Sequence, residues 1–238
     1  MNCKRRTLSL VFVGIAYTVW WYVSVSQNIS NARVRGIEPI AYYMTTAIGV
    51  NYMKAQALFV AFYGVLRYIW DQDYTTLVIS RMSRKRYTLY IVRDVLVSAI
   101  LYAGCMIVIQ GVLAYWTQPV SYLNQYQYGT SLLQLFFVLI LFYFFFGMLY
   151  EVLSILVNQQ IVSFFFYFMI GVAMIFPALY RFQPTAYLML DIIQTGIREI
   201  NISKFRLCIG IHLCWSVVGI IVLYCLIRRK DFLERIRG

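Results

Sequence analysis

DQDYTTLVISRMSRKRYTLYIVRD, residues Asp71 to Asp94, is the longest polar interruption with helix-forming character, and it separates two long apolar runs. Four of the six residues from Arg81 to Arg86 are basic. Tyr74, Leu77, Val78 and Met82 recur at helical spacing, so the segment pairs an apolar face with a cationic turn. With membrane spans on either side, it reads as a short helix at the cytoplasmic surface. Something at that surface has to hold it.

Composition makes the flanking runs spans. The 238 residues are 62% hydrophobic and only 13% charged, with a mean hydropathy of +0.70. A soluble domain averages about half apolar and about a quarter charged. The chain is therefore read as a polytopic membrane protein forming a single transmembrane domain over residues 1–238. Its net charge of +12 is not a nucleic-acid signal. In membrane proteins Lys and Arg collect in short cytoplasmic loops, where they fix topology and meet anionic lipid. The five cysteines are odd in number and predict no disulfide framework.

Working outward, the run before the stretch extends from Ile40 to Trp70, longer than the ~20 residues that cross hydrocarbon. Lys54 falls inside it. An ionisable residue at membrane depth is a functional candidate, and the alternative is a lysine snorkelling outward beside Asn51. Further back, Gln27 to Pro39 reads as an outside loop. Thr7 to Val25 reads as the first span behind the basic Lys4, Arg5 and Arg6; a cleaved signal peptide is the other reading.

Beyond the stretch, Val95 to Trp116 is the third span, with Gly104 and Gly111 spaced for close packing. Thr117 to Thr130 is an uncharged, Tyr-rich outside loop. Ser131 to Val157 is the fourth span, and its run FYFFFG, Phe142 to Gly147, reads as lipid-facing or packed surface. Glu151 lies near that span's inner end, either pairing with a base on another helix or contacting a partner. Asn158 to Gln160 is a minimal inside turn, Ile161 to Leu179 the fifth span, and Phe205 to Ile227 the sixth. Between these last two, Pro184 to Ile200 is too interrupted to cross and reads as a segment at the outer interface. A basic tail follows the sixth span.

Fourteen of the 21 Lys and Arg then fall inside, six outside and Lys54 within a span, as the positive-inside rule requires of a protein with both termini in the cytoplasm. The expected fold is all-α: six transmembrane helices, both termini cytoplasmic, and a short cytoplasmic coupling helix between spans two and three.

The sequence shows no nucleotide or catalytic motif. It lacks a G-x-x-x-x-G-K-[ST] loop and an H-E-x-x-H pair. Its single histidine, His212, stands one turn from Cys208, and two ligands do not close a zinc site. The acids are scattered, Asp71 and Asp73 being the only close pair, and Asp73 is read as a helix cap. No catalytic residue, resident metal or cofactor is assigned.

The first inside loop resembles that of the permease subunits of ABC-2 type transporters. An amphipathic segment ends in Ser80-Arg81-Met82-Ser83-Arg84, followed by Arg86-Tyr87 and the third span, and the tail carries Ile227-Arg228-Arg229-Lys230-Asp231-Phe232. The six-span layout is similar too, and small bacterial peptide-export and bacteriocin-immunity permeases stand nearest in size. The resemblance implies a coupling helix docked on a separate ABC ATPase subunit, which would hold the ATP and Mg. Its contact residues would be Asp73, Tyr74, Leu77, Val78, Arg81, Met82, Ser83, Arg84, Arg86 and Tyr87. It further implies a second permease as homo- or heterodimer, membrane lipid around both, and export of an amphipathic peptide or hydrophobic compound across the bacterial cytoplasmic membrane. The alternative is a non-transporting immunity or sensor protein that binds a toxin or partner.

Overall fold

The computed structural model describes residues 3–34, 52–71, 83–125, 128–157, 159–173 and 202–229. All the secondary structure among them is helical: α1 (Cys3–Val34), α2 (Tyr52–Asp71), α3 (Arg84–Thr117), α4 (Val120–Gln125), α5 (Tyr128–Val157), α6 (Gln160–Ala173) and α7 (Ile202–Arg229). Stretches within α1, α3, α5 and α7 are long and apolar enough to cross a membrane. Two shorter apolar helices, Phe59–Trp70 and Ile161–Ile170, stand where the second and fifth spans were expected. The chain is a helical protein of the membrane-embedded kind.

Helix α5 is the centre of the bundle. Helices α2, α3, α4, α6 and α7 pack on it, and α1 closes the side formed by α2 and α3. Its FYFFFG run therefore takes the packed and not the lipid-facing of its two readings: Phe142, Tyr143, Phe144 and Phe146 are all buried. With five neighbours, a helix has almost no free arc, so its longest aromatic run becomes core. Tyr143 meets Tyr102 at 4.6 Å and Tyr63 at 5.2 Å between ring centres, joining α5 to α3 and α2.

The tightest crossings use Gly64 and Gly147. A Cβ on Gly64 would lie 2.4 Å from the Tyr167 ring of α6, and one on Gly147 would lie 2.5 Å from Val95 of α3. Gly104 and Gly111, by contrast, leave ordinary contact distances to α5.

Three boundaries differ from expectation. Helix α1 continues to Val34, through residues 27–34 of the expected outside loop; the first glycine or proline after Gly14 is Gly36, so no breaker intervenes. Helix α3 begins at Arg84, so Arg84 to Asp94 are its first turns and not part of a separate surface helix. Ser83 starts it as N-cap, its hydroxyl accepting from the Arg86 amide. The Tyr-rich loop contains α4, whose Leu123 joins Trp21, Ala114, Tyr128 and Leu132 in a second small core. Pro119 explains the break before it: Gln118 is extended, as the residue before a proline prefers. The expected minimal turn stands, α5 ending at Val157 and α6 starting at Gln160.

Candidate functional site

Consecutive helices in the bundle run in alternating directions. The start of α1, the end of α2, the start of α3 and the end of α5 therefore meet at one end. Each brings a charge there: Arg6, Arg67, Asp94 and Glu151.

Arg67 is the hub. Its side chain is 0% exposed. One terminal nitrogen donates to Asp94 at 2.7 Å and to the Ser98 hydroxyl at 3.3 Å, and the other donates to Glu151. Asp94 also accepts from Arg6 at 3.2 Å. The Arg6 guanidinium lies 4.7 Å from the Trp70 ring centre, and the Trp70 indole nitrogen donates to Ser9 at 3.0 Å. Tyr63 shares a 2.9 Å hydrogen bond with Ser98, extending the network toward the aromatic core.

Among the described residues the cluster holds two cations and two anions, so the charges balance. That balance is what makes it tolerable out of water, where an unpaired charge costs several kcal/mol. Arginine suits the hub because its planar fork reaches two carboxylates at once, which a lysine cannot match. The cluster clamps four helices at one level. Around it stand packed aromatic rings, and no group of three metal-ligating side chains occurs among the described residues.

At the opposite end a neutral counterpart joins α1, α3 and α5. Tyr17 donates to the Gln110 carbonyl oxygen at 3.2 Å, and the Gln110 amide nitrogen donates to Tyr128 at 3.3 Å.

Of the residues singled out from sequence, Glu151 takes the first of its two readings and pairs with a base on another helix. Lys54 lies in the first turn of α2, with its side chain outside the described set. Asp73, Tyr74, Leu77, Val78, Arg81 and Met82 also lie outside the described residues. Ser83 caps α3, and Tyr87 is buried. Arg84 donates to the backbone carbonyl of Arg228, joining the start of α3 to the end of α7. A cation there also faces the negative end of the α7 dipole. Arg86 is exposed. His212 is buried beside Phe142, as a packed histidine should be.

Arg6, Arg67 and Asp94 were missed as a site. Arg6 and Arg67 were counted as topology cations and Asp94 as the end of the polar stretch. One signal was available: each sits at the same end of an alternating span, and with Glu151 their charges cancel.

Comparison of the chain with protein-family models, curated proteins and solved structures finds no match.

Proposed function

We propose that this chain is the permease subunit of an ATP-driven exporter of the ABC-2 type. It crosses the bacterial cytoplasmic membrane six times with both termini inside. It pairs with a second permease and with separate ATPase subunits that carry ATP and Mg, and it moves an amphipathic peptide or hydrophobic compound outward. The segment between α2 and α3, together with the basic first turn of α3 (Arg84, Lys85 and Arg86), is the joint to the ATPase.

One observation carries this reading. The helix that leaves that segment is fastened at its start to the rest of the bundle. Arg84 ties α3 to α7, and Asp94 ties it to α1 and α2 and, through Arg67, to α5. A displacement of the segment by nucleotide-driven closure of the ATPases would therefore move the inner ends of five helices together. Rigid elements coupled in this way rock a bundle between two states when a partner binds one state better. The buried aromatics fill the single chain, so in this reading the cargo path lies between paired permeases.

The test is whether a P-loop ATPase copurifies with the chain from its host, together with ATP-dependent export. Arg81→Glu/Arg86→Glu reverses two charges on the joint. The double variant is expected to lose the ATPase on purification and to lose transport. Arg84→Ala separately breaks the α3–α7 tie and is expected to weaken transport more than it weakens ATPase retention. Full retention of both properties in Arg81→Glu/Arg86→Glu would end the proposal. A chain that copurifies with no ATPase yet protects its host from a toxin would be the immunity protein instead.

A further inference from the structure

An apolar groove of about 660 Å³ opens on the outer surface of the bundle between α1 and α2. Leu8, Val11, Phe12 and Ile15 form one wall, and Phe62 and Val65 belong to the other. Leu8 is 71% exposed and Phe12 60% exposed, so this face is open along its length. Phe12 and Phe62 meet edge to face across it, with ring centres 6.2 Å apart.

Its dimensions and its ends select the occupant. Leu8 to Ile15 spans about 10 Å of helix, within the ~15 Å of one hydrocarbon leaflet. A protein helix seated there would gain fewer than two turns of contact, too few for a stable seam. A single acyl chain needs no more than this depth. The outer end meets apolar side chains only. The inner end stops at the Trp70–Ser9 hydrogen bond and the partly exposed Arg6. Lys4 and Arg5 precede Arg6 in the first turn of α1. The groove is thus apolar for one leaflet's depth and ends toward the first turn of α1, where the sequence places Lys4 and Arg5 ahead of the Arg6 already paired with Asp94, and a basic turn there complements a lipid with one buried tail and a negatively charged head. A neutral hydrophobic molecule would gain nothing from that charge.

We propose that the α1–α2 groove is a binding site for one anionic phospholipid of the cytoplasmic leaflet, its acyl chain along Leu8 to Ile15 and its phosphate at the first turn of α1, which carries Lys4 and Arg5. This rests on the chain lying in a membrane and not on the transport reading. The site holds its lipid by burial of the tail and by charge at the head, so the two contributions separate by mutation.

Native mass spectrometry of the full-length protein in detergent tests it, with phosphatidylglycerol and phosphatidylcholine of the same acyl chains as probes. The expected result is one phosphatidylglycerol retained per chain, in preference to phosphatidylcholine. Lys4→Gln/Arg5→Gln is expected to erase that preference, a loss of roughly tenfold to thirtyfold for two cations near a headgroup, while retention of phosphatidylcholine stays as it was. Val11→Trp and, separately, Val65→Trp fill the groove from exposed positions and are expected to reduce retention of both lipids at least tenfold at an unchanged melting temperature. The proposal is overturned by a preference that survives Lys4→Gln/Arg5→Gln. It is equally overturned by lipid retention indifferent to both tryptophans, or by a dimer of this chain that Val11→Trp dissociates.

Discussion

Arg67 shows how one side chain can decide whether a bundle closes. Its charge is sustained by Asp94 and Glu151 with no water to share it, so truncation leaves two carboxylates buried without their common partner. Arg67→Ala is expected to destabilise the fold by about 3–5 kcal/mol, measured by thermal unfolding in detergent. Arg67→Lys should recover little of this, since a point charge cannot bridge both acids. A double-mutant cycle sharpens the claim. Arg67→Met/Glu151→Gln should cost less than the sum of its two single changes, because the second change removes the charge stranded by the first. Strict additivity would show that the two groups do not act on one another. Gly64 makes the steric counterpart. Gly64→Ala drives a methyl into the buried Tyr167 ring, which is held in place by its hydrogen bond to the Val60 carbonyl. Overpacking of this kind costs about 1–3 kcal/mol, and an unchanged unfolding midpoint for Gly64→Ala would contradict so close a crossing.

At the scale of the helix, the start of α3 matters most, because it follows directly on the cationic segment. Ser83→Ala removes the side-chain acceptor for the Arg86 amide and should cost about 1 kcal/mol. Amide exchange should accelerate in residues 84–88 and stay as it was near Asp94, where the ion cluster holds the helix. Uniformly faster exchange along α3 would mean that cap and cluster are not separate fastenings. This helix also shows what the sequence can and cannot disclose. Hydropathy marked Val95 as the start of the third span, because it reports only where the chain becomes apolar. The helix begins at Arg84, because charged residues continue a helix as readily as they end a membrane run. The FYFFFG run was legible as helix, but lipid-facing and packed readings stayed open, since burial depends on how many neighbours surround a helix. Glu151 and Arg67 are 84 positions apart, and no local pattern joins them.

For the molecule as a whole, orientation follows from charge and from the alternation of the helices. Arg6, Arg67, Asp94 and Glu151 meet at one end only if α1, α2, α3 and α5 alternate in direction, and the Arg84–Arg228 bond brings the end of α7 to that same level. The basic first turn of α3, the first turn of α1 and the last turn of α7 then share one side of the membrane. In the proposed topology, positive-inside bias would put that side in the cytoplasm. The α4 turn, which carries no charge from Val120 to Gln125, lies at the other end. Single cysteines in a background with all five native cysteines changed to serine decide the matter. Ser121→Cys stands exposed on α4 and should react with a membrane-impermeant maleimide in intact cells. Arg229→Cys, exposed at the end of α7, should react only after the membrane is opened. The reverse pattern would turn the bundle over and place the basic segment outside, beyond reach of any cytoplasmic ATPase. Labelling of both positions in intact cells would break the alternation itself, and an odd number of crossings between residues 121 and 229 would be lost with it. The ion cluster makes that last outcome physically costly, because it would have to be dismantled for one helix to run the other way.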